Sequence, residues 1–220
     1  MFRIYILFLL SLFPLSMVAQ DTLNQTDPSG RKQGYWKKTD SAGHLVYEGS
    51  FKDGEPIGTF RYFYPDGKIK TISTLSQNGA HARVVSYFQN GQKMASGTYL
   101  YEKRDSIWQF YSEKDGALVS EEYYKTGVKN GISRVFFSGG GVAEKTTWKN
   151  GVMDGPSEQY FSDGKIKVRL NYKNGEKNDA FTTYFLSGKP MISGQYLNGH
   201  PAGHWIYYNE DGSVLRVEDY

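Results

Sequence analysis

The side chains able to do chemistry are few and scattered. Four histidines occur, His44, His81, His200 and His204. The last two stand four apart, a spacing that brings two imidazoles to one metal when it falls on a helix. Here it falls in Asn198-Gly199-His200-Pro201-Ala202-Gly203-His204-Trp205, whose glycines and proline read as turn. Gly139-Gly140-Gly141 has the glycine density of a phosphate-cradling loop, but no Lys-Ser follows and no helix is expected after it. The Asp-Gly turns lack the dense Gly-Gly-x-Gly-x-Asp pattern of calcium repeats. Glu121, Glu122, Glu158 and Glu210 are dispersed, whereas acid–base catalysis needs carboxylates converging in a pocket. The chain has no cysteine, which excludes disulfides, thiolate zinc sites, cysteine nucleophiles and the lipidated anchor of a bacterial lipoprotein. No catalytic residue, metal or cofactor is assigned, and a non-enzymatic protein is expected.

The elements that would carry these residues are short strands. Glycine (25), tyrosine (18) and phenylalanine (13) are abundant in 220 residues, a composition suited to strands joined by tight turns. The formal charge of +3 comes from 26 basic and 23 acidic residues mixed along the chain. That balance argues against nucleic acid, which selects clustered positive charge, and against anionic lipid.

Residues 1–19 read as an export signal: Arg3, an apolar run from Ile4 to Leu15, then Ser16-Met17-Val18-Ala19. Cleavage after Ala19 places the remainder in the periplasm, the outer envelope or the medium; an uncleaved anchor is the alternative. Residues 20–33 form a polar lead-in.

From 34 to 220 the chain repeats. Equivalent anchor positions are Gly34, Gly58, Ala82, Ser106, Gly131, Gly155, Asp179 and Gly203, spaced by 24 residues with one step of 25. A second glycine recurs without exception at Gly43, Gly67, Gly91, Gly116, Gly140, Gly164, Gly188 and Gly212. Five residues after the anchor come Phe63, Tyr87, Tyr111, Phe136, Tyr160, Tyr184 and Tyr208, with Thr39 in the first unit. Eight after the second glycine come Phe51, Tyr99, Tyr124, Trp148, Tyr172, Tyr196 and Tyr220, with Leu75 in the second unit. A looser row lies two residues after the anchor, where Val84, Ser133 and Ser157 replace the ring of Trp36, Phe60, Trp108, Phe181 and Trp205.

Each unit therefore reads as a hairpin. Tyr64-Pro65-Asp66-Gly67 closes one, and Lys52-Asp53-Gly54 and Lys149-Asn150-Gly151 join units. The expected fold is all-β: an elongated antiparallel meander of eight stacked hairpins, about sixteen strands in all. Single hairpins are marginal in water, so the units must lean on one another. Rings are expected to ladder from each unit to its counterpart in the next. Positions two and five after the anchor differ in parity, so either the strand bulges or both faces carry aromatics.

Gly58-Thr59-Phe60-Arg61-Tyr62-Phe63-Tyr64-Pro65-Asp66-Gly67 and Gly203-His204-Trp205-Ile206-Tyr207-Tyr208-Asn209-Glu210-Asp211-Gly212 resemble the bacterial variant of the MORN repeat, as found in YwqK-type antitoxins. The resemblance implies stacked hairpins used for protein or lipid contact, without catalytic residues. With an export signal, it implies an envelope scaffold or immunity role. Trp205 to Gly212 is also similar to one choline-binding cell-wall repeat, without its delimiting Gly-Trp pairs. Protein is the expected partner, with glycan or cell wall as the alternative through the tyrosine and tryptophan rows.

Two readings attach to the departures from the period. They are repeat decay, or they mark a partner site around Arg83, Tyr99, Tyr101 and Arg104, where no Asn-Gly or Asp-Gly turn occurs. The C-terminal strand is expected to present an edge able to pair with another chain.

Overall fold

The computed structural model describes residues 23–76 and 79–220. The segment expected to direct export, with its expected cleavage site, lies outside them. The described chain is all-β, without a helix, and forms one open antiparallel sheet. Its strands are β1 (Gln25–Thr26), β2 (Lys32–Thr39), β3 (Leu45–Lys52), β4 (Glu55–Phe63), β5 (Ile69–Leu75), β6 (His81–Tyr87), β7 (Lys93–Leu100), β8 (Lys103–Tyr111) and β9 (Leu118–Lys125). They continue with β10 (Val128–Lys129), β11 (Gly131–Phe136), β12 (Val142–Lys149), β13 (Val152–Tyr160), β14 (Ile166–Lys173), β15 (Glu176–Tyr184), β16 (Pro190–Leu197), β17 (His200–Tyr208) and β18 (Val214–Asp219). The count exceeds sixteen by the two-residue strands β1 and β10. Strands pair in sequence order as a meander, with β9 meeting both β10 and β11.

Most turns between units hold both central residues left-handed, as in Asp53-Gly54 (φ 53° and 86°) and Asn150-Gly151 (φ 52° and 86°). That backbone twist matches the strands it joins. At five junctions between units the register slips: β3/β4, β7/β8, β12/β13, β14/β15 and β16/β17. In each, the anchor residue of the second strand (Gly58, Ser106, Gly155, Asp179 or Gly203) has positive φ, between 60° and 114°. Ala82 does not adopt positive φ, and β5 and β6 pair without a slip. A Cβ disfavours the left-handed region.

Of the two options raised by the parity problem, aromatics on both faces is the one realised. The register also slips inside every hairpin between positions four and five after the anchor, the extra residue lying on the following strand. Alternation along the first strand survives. Trp108 and Phe110 share the front face, their rings 6.3 Å apart, while the Tyr111 hydroxyl donates to Gln109 Oε1 (2.9 Å) on the back. The sheet therefore has aromatics on both sides.

The row five after the anchor does not ladder ring on ring. Ring pairs of the described residues lie on the front face, within a strand or between adjacent strands, as in Phe51–Phe60 (5.2 Å) and Tyr99–Trp108 (4.9 Å). Phe181 and Trp205, counterparts two residues after the anchor in successive units, also meet, at 5.3 Å across Gly194. The backbones of such counterparts are two strands apart, roughly 9.6 Å, so upright rings of the back row do not reach one another. The back-face rings meet lysines instead, Lys93 over Tyr111 and Lys145 over Tyr160.

The core is one transverse row across the middle of the front face. From β2 to β9 it runs Trp36, Gly49, Phe60, Ser73, Val84, Gly97, Trp108 and Glu122. From β11 to β18 it continues Ser133, Thr146, Ser157, Leu170, Phe181, Gly194, Trp205 and Glu218. Phe60, Val84, Trp108, Leu170, Trp205, Thr146 and Ser157 are its buried members. Large rings tip over small neighbours: a Cβ on Gly49, Gly97 or Gly194 would come within 2.5, 2.3 or 2.4 Å of Phe60, Trp108 or Trp205. Where the ring is absent the neighbour changes too, and Thr146 and Ser157 bring their hydroxyls to 3.3 Å.

Candidate functional site

The front face carries three clusters of rings in mutual contact. The first cluster gathers Trp36, Tyr47, Phe51, Phe60 and Tyr62; the second Tyr99, Trp108 and Phe110; the third Phe181, Tyr196, Trp205 and Tyr220. Between the first and second the face sinks into an open trough of about 950 Å³. Thr71, Ser73 and Leu75 from β5 and Ala82, Val84 and Ser86 from β6 line its floor. Phe60 and Tyr62 form one wall and Tyr99 the other. The walls stand on β4 and β7, three strands or roughly 14 Å apart.

The trough follows from Ala82. Without a left-handed anchor the β5/β6 junction keeps an unbroken ladder, Ser73 facing Val84 and Thr71 facing Ser86. The short side chains on both strands leave no ring over the preceding strand, and the floor stays low. Thr71 and Ser86 hydroxyls meet at 3.2 Å. Burial pushes the Tyr62 phenol up, so it presents a neutral hydroxyl.

At the rim lies the turn Tyr101-Glu102, which occupies the place of Asn-Gly in other units. Both residues are left-handed, with φ of 47° and 62°. Holding two non-glycine residues there costs on the order of 1–3 kcal/mol each. Tyr101 is 71% exposed, so no packing of its ring offsets the strain. Glu102 and Glu55, both exposed, border the trough.

The four residues singled out as a partner site are divided. Tyr99 is the trough wall, and Tyr101 is an exposed neighbour of Glu102, which borders the trough. Arg104 is packed into the second cluster, its guanidinium 4.8 Å over Trp108 and 5.5 Å over Tyr124, donating to the Tyr124 hydroxyl (3.2 Å). Arg83 lies between Ala82 and Val84 in β6, so it points to the back face. Phe60, Tyr62, Thr71, Ser73 and Ser86 were not singled out. Their signal was the pairing of Leu75 with Ala82 and of Ser73 with Val84, visible only once the strands are placed side by side.

Next to the trough, Glu122 takes the place that glycine holds in other units. Lys129 donates to it at 2.7 Å and the Tyr124 hydroxyl at 2.5 Å. Burial opposes its ionisation, but these hydrogen bonds and the Lys129 and Arg104 charges outweigh it and hold the carboxyl below the usual glutamate range. Burial, then the bond to Glu122, pushes the Tyr124 phenol up. His204 contacts Asp219, and His44 contacts Asp40. Among the described residues no group of three or more His, Asp or Glu is placed to hold a metal.

A single-layer sheet of hairpins with a shallow open trough defines a β-repeat protein whose faces are its working parts. Two segments, 56–76 and 153–174, match the MORN repeat variant, which supports a MORN-type repeat for the array. Such repeats generally act as modules binding proteins or membranes. No curated protein matches the chain. Among solved structures it is similar to a crystal structure of TcdB2-TccC3-TEV, at 11% identity and a TM-score of 0.23 over 84% of this chain and 14% of that one. It is also similar to a Tc holotoxin pore of Photorhabdus luminescens carrying a TccC3 mutation, at 9% identity and a TM-score of 0.18 over 80% of this chain and 14% of that one.

Proposed function

We propose that the chain is an exported, non-enzymatic platform that docks a protein partner in the front-face trough of its second and third repeats, in the cell envelope or outside the cell. The supporting observation is the coincidence of three departures in one place: the unbulged β5/β6 junction, the trough it leaves, and the strained Tyr101-Glu102 turn at the rim. Strain of this kind persists where the local structure is selected for something other than stability. A scaffold or immunity factor, sequestering a protein outside the cytoplasm, is the role this suits.

The test is site-specific photocrosslinking in intact cells. A photoreactive residue at Ser86 should capture a defined envelope or secreted protein, while one at Arg83 on the opposite face should not. Equal capture from both positions, or none from Ser86 with retention of the protein on purified cell wall, would replace the protein partner by a glycan.

A further inference from the structure

The residue two before each anchor is a cation in four of the eight units, and in neither unit of the trough. These residues are Lys32, Pro56, Ala80, Arg104, Lys129, Met153, Lys177 and Pro201. All four cations lie on front-face rings of their own unit. Lys32 Nζ is 4.5 Å from the Phe51 ring and 4.8 Å from Trp36; Arg104 covers Trp108; Lys129 is 5.0 Å from Trp148; Lys177 is 5.0 Å from Tyr196. The array thus repeatedly seats a cation of its own against its aromatic clusters, where the ring faces attract it. In the second and third units proline and alanine hold this position consecutively. The cation contacts of the described residues do not fall on Phe60 or Tyr62.

We propose that the trough between Tyr62 and Tyr99 takes an arginine or lysine side chain of the docked protein, seated where the other units place their own cation. This deepens the proposed function and depends on it. Glu55 and Glu102 at the rim supply the opposite charge. Hydroxyls of Thr71, Ser73 and Ser86 on the floor can accept the hydrogen bonds of a guanidinium or ammonium that has left water. The planar guanidinium also stacks on ring faces, which favours arginine.

The probe is Nα-acetyl-arginine amide titrated into the purified chain, with Nα-acetyl-norleucine amide as the neutral comparison, followed by amide chemical shifts. Expected are saturable shifts at Ser73, Val84 and Tyr99 with the arginine probe, and shifts at least tenfold weaker with norleucine. Ala80→Lys, which supplies the missing cation from within, should weaken the arginine response at least tenfold. Glu55→Gln with Glu102→Gln, both at exposed positions, should weaken it several-fold and reduce its salt dependence. Equal response to norleucine, or an arginine response unchanged in the Glu55/Glu102 double variant, overturns the inference. Choline binding more tightly than the arginine probe also overturns it, in favour of a small quaternary ammonium. A partner still crosslinked at Ser86 after either negative result leaves the docking site standing without its cation.

Discussion

The indole of Trp108 lies flat over Gly97 on the neighbouring strand, so close that a Cβ at 97 would sit 2.3 Å from the ring. Gly49 beneath Phe60 and Gly194 beneath Trp205 repeat the relationship. A sheet with no second layer buries its large side chains by laying them on its own backbone, and glycine is what permits it.

Gly97→Ala should therefore destabilise the protein by about 1–3 kcal/mol, the usual cost of overpacking a filled site. Combined with Trp108→Ala, the added methyl should cost far less, because the ring it strikes is gone. Denaturant midpoints of the two single variants and the double variant measure this. Additive effects would mean that the ring and the glycine do not share the space.

Replacing Tyr101-Glu102 by Asn-Gly installs the residues that other units use in a doubly left-handed turn. Stability should rise by about 1–3 kcal/mol as strain is removed. Capture of a partner at Ser86 should fall, since the rim loses Glu102 and the exposed tyrosine. A loss of stability would show that the turn is held by contacts rather than strained.

Filling the trough is a sharper test of its role. Val84→Trp with Ser73→Gly recreates the ring-over-glycine pair at the unbulged junction. The double variant should remain folded by circular dichroism and lose crosslinking at Ser86. Retained crosslinking at wild-type yield would detach binding from the trough.

Glu122 should contribute to acid sensitivity. Its carboxyl titrates below the usual glutamate range in the folded chain, burial opposing and the Lys129 and Tyr124 hydrogen bonds favouring the charged form. A depressed value stabilises the fold above the unfolded pKa and is lost as pH falls through the folded one. The stability difference between wild type and Glu122→Gln should hold from pH 7 to about 5 and narrow below about pH 4.5. A difference independent of pH down to 3 would contradict the assignment.

The hairpins were legible in the sequence because their signals are local. Asp53-Gly54 and Asn150-Gly151 specify turns through the φ values glycine and its neighbour accept, and the second glycine marks each hairpin. The expected ring ladder was not legible in the same way. The regular row through Tyr111 and Tyr160 repeats every two strands and does not make ring contacts, whereas most working pairs join positions of unlike sequence phase, such as Phe51 with Phe60; Phe181 and Trp205 are the counterparts that do meet. Tyr99 and Tyr101 stood out as departures from the period, but the same stretch also contained Arg104, which the fold uses for packing, and Arg83, which it turns to the other face.

Period and strand type were determined by the sequence alone, since each depends on residues within one hairpin, whereas the choice between a bulged strand and aromatics on both faces was made by the structure. The transverse row from Trp36 to Glu218, the compensation of rings by small neighbours and the trough beside Tyr62 were decided only by the tertiary structure. They depend on which residues stand opposite across a junction, and that register is set by whether a residue such as Ala82 enters the left-handed region, a choice the whole sheet makes together.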